Sequence, residues 1–129
     1  MRALVIDDSR TMRMMLGRQL RDLGFEVAEA GDGAQALDRL REAGPEAPAL
    51  ATVDWNMPVM DGLAFVQAVR QRPEWRSIAL MMVTTEAEQS QIVRALAAGA
   101  HEYLIKPFPV EALGEKVRLL GLDPDRSVA

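Results

Sequence analysis

The sequence predicts an α/β fold: a single doubly wound domain of five strand–helix units around a five-stranded parallel sheet. Two observations support this prediction. Several short apolar runs end at polar or turn residues, and segments with helical periodicity lie between them. The apolar runs are continuous rather than alternating, which is typical of strands that helices cover on both faces of a parallel sheet. Alternating strands and helices in turn imply right-handed crossovers.

The strands are predicted from the apolar runs at 3–6, 49–53, 78–83 and 103–105. A weaker run at 26–30 alternates charged and small apolar residues, so we expect it at an edge of the sheet. The helices are recognised by apolar residues at spacings of three and four. They are expected at 12–23, from Asp32 to 40, at 63–69, from 86 to 98 and from about 110 to 120. Asp32 is expected to cap the second helix, and Gly24, Gly99 and Gly121 are expected as terminators.

The composition is that of an ordinary soluble domain, with 49% apolar and 26% charged residues. A net charge of −4 argues against a nucleic-acid partner, because no basic stripe offsets phosphate repulsion. The chain has no cysteine, which excludes disulfides and fits a reducing compartment. No apolar stretch approaches the ~20 residues that a membrane span needs. We therefore expect a cytoplasmic monomer with one domain at 1–121 and a short tail at 122–129.

Polar residues suited to metal binding or catalysis lie at the ends of the predicted strands. Asp7 and Asp8 follow the first strand, Asp54 follows the third, Thr84 the fourth and Lys106 the fifth. Ligands of such sheets bind outside the carboxyl ends of the strands. Carboxylate oxygens favour a hard cation, and Mg2+ is the best fit. A cation and a lysine beside a carboxylate suit a phosphoryl group, with Asp54 as the nucleophile.

Each of these signals has an ordinary structural alternative. Asp7–Asp8 before a helix can be no more than an N-cap that favours the helix dipole. Asp61–Gly62 is best interpreted as a turn and a helix cap. Lys106–Pro107 is a candidate for a cis peptide bond, which would turn the chain tightly and aim the lysine. The shared position at strand ends is what favours a functional site.

Four motifs together resemble the response-regulator receiver family, closest to the stand-alone chemotaxis regulators of the CheY type. They are 5-VIDDSRTMR-13, 54-DWNMPVMDG-62, 83-VTTE-86 and 99-GAHEYLIKPF-108. The resemblance runs from Arg2 to about Leu120. It implies a flavodoxin-like sheet of order 2-1-3-4-5, in which strands 1 and 3 are neighbours and their acids meet.

The resemblance also implies a role for each acid. Asp54 would accept a phosphoryl group from the phosphohistidine of a sensor histidine kinase. Asp8, Asp54 and the backbone carbonyl of Asn56 would ligate Mg2+, with Asp7 acting through a bound water. Lys106 would contact the phosphoryl oxygens. The protein would then be no enzyme in the usual sense, since it would catalyse only its own phosphorylation and dephosphorylation.

A second set of residues would transmit the signal. Thr84 would bond to the phosphoryl group and Tyr103 would change rotamer with it, which alters the face of helix 4, strand 5 and helix 5. Asn56 and Glu86 occupy the positions that tune the phosphoryl lifetime, and this pair resembles the short-lived class. The partners implied are a sensor histidine kinase, a downstream motor-switch or phosphotransfer protein, and a possible phosphatase.

The chain departs from its close relatives at several positions. Ser9 stands where an aromatic residue is common, and Thr85 follows the switch threonine where a small residue is usual. The fourth helix has an acidic start at 86–91, and Gly114 weakens the fifth helix by ~1 kcal/mol relative to alanine. These departures bear on donor access and on the output surface.

Other functions remain as alternatives. Within signalling, the chain could be a phosphorelay intermediate or a phosphate sink. A phosphatase of the haloacid dehalogenase type needs Asp-x-Asp, but 7-DDS-9 puts Ser9 at the second acid position. A flavodoxin-like FMN carrier needs a phosphate loop rich in Ser, Thr and Gly, and 7-DDSRT-11 offers two acids instead.

The remaining residues are interpreted as packing or surface. We expect His101 at a surface loop or strand edge, Trp75 in packing at a loop, and Trp55 as a partly exposed wall of the site. The methionines are expected in or near the core, where their flexible side chains fill gaps. Those considered are Met12, Met14, Met15, Met81 and Met82.

Overall fold

The computed structural model describes residues 1–124, so most of the expected tail, 125–129, lies outside the described residues. The strands are β1 (Arg2–Ile6), β2 (Glu26–Ala30), β3 (Leu50–Val53), β4 (Ala79–Thr84) and β5 (Glu102–Ile105). The helices are α1 (Arg10–Asp22), α2 (Gly33–Ala43), α3 (Gly62–Arg70), α4 (Gln89–Ala98) and α5 (Ala112–Leu119). Within residues 1–124, no helix has the length and apolar character needed to cross a membrane.

The five strands form one parallel sheet of order β2-β1-β3-β4-β5, which confirms the predicted fold class and strand order. The weakly apolar β2 lies at an edge, as its alternating pattern predicted. The central strands β3 and β4 are buried along their whole length, because helices cover both faces. The register pairs Ile6 of β1 with Val53 of β3, so these two strands end at the same level.

Successive side chains of each strand enter two different apolar layers. In β1, Leu4 and Ile6 belong to the layer that packs against α2, α3 and α4. Ala3 and Val5 belong to the layer that packs against α1 and α5. The sheet is therefore rigid between two cores, and the loops at its carboxyl edge are held on a firm base.

Helix boundaries differ from the predictions where local hydrogen bonds compete with the helix. The N-cap of α1 is Ser9, whose hydroxyl accepts the N–H of Met12 at 3.2 Å, so the alternative that Asp7–Asp8 cap this helix is wrong. Helix α4 begins at Gln89 rather than at 86, because the N–H of Glu86 donates to the Thr84 hydroxyl at 3.3 Å. The caps predicted at Asp32 and Asp61 are confirmed.

The five methionines considered differ in burial. Met12 is half-buried, which fits a position near the core. Met81 and Met82 are fully buried in β4, as predicted. Met14 and Met15 are exposed to 56% and 38%, so the prediction of core packing is wrong for them. Helix α1 turns Leu16 and Leu20 towards the sheet, and the two methionines lie off that stripe.

A cluster around Arg70 ties the end of α3 to the sheet. Its guanidinium donates to the carbonyls of Gly99 and Ile78, each at 3.0 Å. His101 is exposed, as predicted, but its Nδ1 accepts the N–H of Leu80 at 3.1 Å and lies 3.1 Å from the Arg70 guanidinium. Burial, and then the charge of Arg70, lower the pKa of His101, so the imidazole stays neutral and keeps its acceptor role.

Candidate functional site

The site starts where β1 and β3 end side by side. The N–H of Asp54 donates to the carbonyl of Ile6 at 3.0 Å, and the N–H of Asp7 donates to Ala30 at 3.1 Å. These bonds continue the sheet ladder one residue beyond the strands. The first residue of each loop is therefore held as firmly as the sheet itself.

Three carboxylates converge at this edge. Asp7, Asp8 and Asp54 each offer an oxygen that lies within 4.8 Å of the others. Asp7 is 1% exposed and Asp54 is 9% exposed, whereas Asp8 lies at the open side. Carboxylates this close repel unless a positive charge lies among them. A donor set of carboxylate oxygens fits a hard divalent cation such as Mg2+.

Lys106 reaches the same place from the end of β5. Its Nζ lies 2.8 Å from Asp7 Oδ2 and 3.4 Å from Asp54 Oδ2, and its side chain is 11% exposed. The N–H of Lys106 donates to the carbonyl of Thr84 at 2.9 Å, and the Lys106–Pro107 bond is cis, as anticipated. Three carboxylates and one ammonium leave two formal negative charges, which one divalent cation would balance.

The chain around Asp54 leaves no room for a side chain at Gly62. A Cβ at this glycine would lie 2.2 Å from the carbonyl oxygen of Asp54. The N–H of Gly62 donates to Trp55 at 2.9 Å, and the Asp61 carboxylate caps α3 by accepting the N–H of Ala64 at 2.8 Å. The 61–62 turn is therefore a cap, as predicted, and it also packs directly against the backbone of Asp54.

The predicted switch and lifetime residues meet at Glu86, in the loop before α4. Thr84 is fully buried, and its hydroxyl accepts the Glu86 N–H. The Tyr103 hydroxyl donates to the Glu86 carbonyl at 2.7 Å. The Asn56 amide donates to the Glu86 carboxylate at 2.8 Å. One residue thus connects the loops that follow β3 and β4 with strand β5.

The chain matches the response regulator receiver domain over residues 3–118. It belongs to that family. CheY1 of Helicobacter pylori, a chemotaxis protein, is 40% identical over 121 residues, which cover 93% of this chain and 96% of the relative. CheY of Pseudomonas aeruginosa, also a chemotaxis protein, is 41% identical over 118 residues, which cover 91% of this chain and 93% of the relative.

Solved structures show the same similarity in three dimensions. Chemotaxis response regulator CheY4 of Vibrio cholerae superimposes with a TM-score of 0.83 at 35% identity, covering 92% of this receiver and 97% of that chain. A putative response regulator from Chloroflexus aurantiacus gives a TM-score of 0.83 at 32% identity, covering 92% and 96%. The resemblance seen in the sequence motifs therefore extends over the whole fold of this receiver.

Tyr103 is half-buried in the receiver, and its environment favours the protonated phenol. Burial raises the pKa of Tyr103, and the negative charges of Glu86 and then Asp54 raise it further. The hydroxyl therefore keeps the proton that it donates to the Glu86 carbonyl. This bond fixes the ring against the loop that follows Thr84.

Trp55 corrects one prediction about the receiver. Its side chain is buried, with 7% of the residue exposed, and it packs into the apolar layer of α2, α3 and α4 rather than forming a partly exposed wall. The guanidinium of Arg94, on α4, lies 5.9 Å from the ring centroid. The helix covers the indole, which sequence periodicity could not show because α4 is distant along the chain.

Arg13 also contacts the site, although in the sequence it stood out only as the last residue of the motif 5-VIDDSRTMR-13. Its Nη1 donates to the backbone carbonyl of Asp7 at 2.7 Å, and its Nε lies 3.1 Å from Glu29 on β2. A sequence signal existed in the six-residue separation of Asp7 and Arg13, which places the arginine on the first turns of α1. Nothing in the sequence paired it with Glu29.

Proposed function

We propose that Asp54 accepts a phosphoryl group from the phosphohistidine of a sensor histidine kinase, and that residues 1–121 form the receiver that does so. The observation that carries this proposal is the acid cluster with the buried ammonium of Lys106 between Asp7 and Asp54. An oxygen of Asp54 attacks phosphorus, the P–N bond breaks, and the imidazole leaves with that electron pair. An acyl phosphate results, and water later hydrolyses it.

The donor set supports Mg2+ as the cofactor. Asp8, Asp54 and the backbone carbonyl of Asn56 would hold it, with Asp7 acting through a water. When bound, the cation neutralises charge on the phosphoryl oxygens. Lys106 is suited to the same task from the other side, because its ammonium already lies against Asp54.

The bonds around Glu86 support a switch. Phosphorylation adds about one negative charge and several acceptor oxygens beside Asp54. Thr84 can donate its hydroxyl proton to one of these oxygens, which disturbs the bond that it accepts from Glu86. Tyr103 is attached to the same residue, so the two side chains respond together. A shift from mostly off to mostly on needs ~3 to 5 kcal/mol of preference, which a few charge-assisted hydrogen bonds can supply.

The output is proposed to be a change in protein binding at the face of α4, β5 and α5. Exposed apolar side chains support it, at Val93, Leu96 and Ile105. Since the curated relatives are chemotaxis proteins, we assign the pathway to chemotaxis or motility in the cytoplasm. The pair Asn56 and Glu86, joined by a hydrogen bond, would set the phosphoryl lifetime.

The test is intact mass after incubation with Mg2+ and acetyl phosphate. We expect a phosphoryl adduct that requires Mg2+, is absent in Asp54→Asn and persists in Asp61→Asn, a matched control in the same loop that keeps a helix cap. Rapid hydrolysis would hide the phosphoryl adduct, so beryllofluoride binding is measured in parallel by Trp55 fluorescence. The Trp55→Phe variant serves as the blank. If neither adduct nor Mg2+-dependent binding forms, the protein is a phosphorylation-independent interaction module.

A further inference from the structure

Arg13 differs from the other arginines of α1. Its side chain is 20% exposed, whereas Arg10, Arg18 and Arg21 are exposed residues. It is also the one whose guanidinium donates to the site, at 2.7 Å to the carbonyl of Asp7. A half-buried guanidinium that donates to a backbone carbonyl makes a strong, directional contact.

The contact acts on a peptide group that the carboxylates depend on. Asp7 is held at both carboxylate oxygens, by the N–H of Ser9 at 2.9 Å and by Lys106 at 2.8 Å. Asp8 is exposed, and the orientation of the peptide bond that precedes it sets where its carboxylate points. The carbonyl that Arg13 binds belongs to that same peptide bond.

Glu29 holds the guanidinium in place. Its carboxylate lies 3.1 Å from Arg13 Nε, at the end of the edge strand β2. The backbone of Gly31 is close on another side, since a Cβ there would lie 3.7 Å from Arg13 Nη1. The guanidinium is therefore fixed by β2 while it donates to the loop after β1.

We propose that Arg13 is a positioning residue of the cation site: it orients the peptide between Asp7 and Asp8 and so preorganises the Asp8 carboxylate for Mg2+. This inference rests on the proposed function. It extends the site beyond its ligands to an arginine and a glutamate on neighbouring elements. Groups that orient metal ligands contribute to affinity without touching the metal.

Charge and positioning predict opposite results for Arg13→Ala. Arg13 is a positive charge near a cation site, and its removal leaves Glu29 unpaired. The surroundings of the site then become more negative, so charge alone would tighten Mg2+ binding. Loss of positioning weakens binding instead. Whether Arg13→Ala binds Mg2+ more tightly or more weakly than wild type therefore distinguishes the two roles.

The experiment is calorimetric titration of Mg2+ into wild type and three variants without phosphodonor. We expect about 10-fold weaker binding for Arg13→Ala. Arg13→Lys keeps the charge but lacks the guanidinium fork that contacts both the Asp7 carbonyl and the Glu29 carboxylate. Its Mg2+ binding should therefore be weaker than that of wild type by about 3-fold, between wild type and Arg13→Ala. Arg18→Ala removes an exposed arginine of the same helix and should stay within about 2-fold. Unchanged or tighter binding in Arg13→Ala overturns the proposal.

A kinetic readout distinguishes positioning from general damage to the fold. With acetyl phosphate, the Mg2+ concentration for half-maximal phosphorylation should rise in Arg13→Lys by the factor found in calorimetry. The rate at saturating Mg2+ should remain within about 3-fold of wild type. A reduced saturating rate with unchanged Mg2+ dependence contradicts positioning. Arg13→Lys also keeps the test valid if Arg13→Ala does not fold.

The outcome for wild type separates this inference from the proposed function. If wild type binds Mg2+ and accepts a phosphoryl group while Arg13→Ala and Arg13→Lys match it, only the role of Arg13 is wrong. If wild type neither binds Mg2+ nor becomes phosphorylated, the proposed function fails, and the role of Arg13 fails with it.

Discussion

Replacing Gly62 by alanine should damage both the stability of the receiver and its proposed acceptor site. The added Cβ would lie 2.2 Å from the carbonyl oxygen of Asp54 and 3.0 Å from its carbonyl carbon and from the Cα of Trp55. All three atoms belong to the backbone, so no side chain can swing away. The backbones must separate by about 0.8 Å to reach the 3.0 Å below which Cβ contacts are essentially never seen.

The cost follows from that displacement. Overpacking a rigid region costs ~1 to 3 kcal/mol, and stretching the Gly62 hydrogen bond to Trp55 adds ~1 kcal/mol. The better helix propensity of alanine offsets part of this, by at most ~1 kcal/mol. We therefore expect Gly62→Ala to lower the free energy of unfolding by about 1 to 4 kcal/mol.

Urea unfolding measures this change, and Gly114→Ala is the matched control. Gly114 also lies in a helix, but a Cβ there would meet Leu23 at 3.5 Å, an ordinary contact. Alanine should raise the free energy of unfolding by ~0.5 to 1 kcal/mol at this position. The two substitutions are chemically identical, so the difference in sign isolates the close approach to Asp54.

The functional consequence is measured on the same protein. Because the backbone of Asp54 must move, Gly62→Ala should accept phosphoryl from acetyl phosphate at least about 10-fold more slowly at saturating Mg2+, whereas Gly114→Ala should match wild type. If Gly62→Ala were as stable as wild type and equally fast, the close packing of the 61–62 turn against Asp54 would be refuted.

Three further predictions concern charge. Without Mg2+, Lys106→Met should lower the free energy of unfolding by ~2 to 3 kcal/mol, because the buried carboxylates of Asp7 and Asp54 lose their cation. Added Mg2+ should restore most of the lost stability. An equal loss of stability with and without Mg2+ would contradict this explanation. The pKa of His101 is lower in the folded protein than in the unfolded chain, where it is near 6.5. The neutral imidazole therefore contributes fully to stability above about pH 6.5, and this contribution is lost as the pH falls through the pKa of the folded state. Thermal melts from about pH 8 to pH 5 should therefore fall more steeply for wild type than for His101→Asn, which cannot titrate; parallel curves would oppose this. Arg94→Ala should change the emission of Trp55, measured against Trp55→Phe, by removing the cation over its ring, and an identical spectrum would argue against that contact.

The sequence alone was sufficient for the order of elements and for the position of the candidate site. Continuous apolar runs that alternate with helical segments indicate the buried strands of a parallel sheet. The carboxyl ends of such strands share one edge, which predicted where Asp7, Asp54 and Lys106 lie. Local caps were predictable for the same reason: Asp32 and Asp61 bond within three residues of themselves. Boundaries failed where a side chain competed with the helix, as Thr84 does for the N–H of Glu86.

Only the tertiary structure decided which distant groups touch. Trp55 is buried because α4 folds over it, and the contact with Arg94 joins residues 39 positions apart. Arg13 reaches Asp7 while β2 presents Glu29 to it, a pairing that depends on strand order and register. Periodicity reports which face of an element is apolar, but the partner of a polar group depends on how separate elements pack. The sequence therefore determined the candidate ligands of the site, and the packing of α1, β2 and α4 determined what holds them in place.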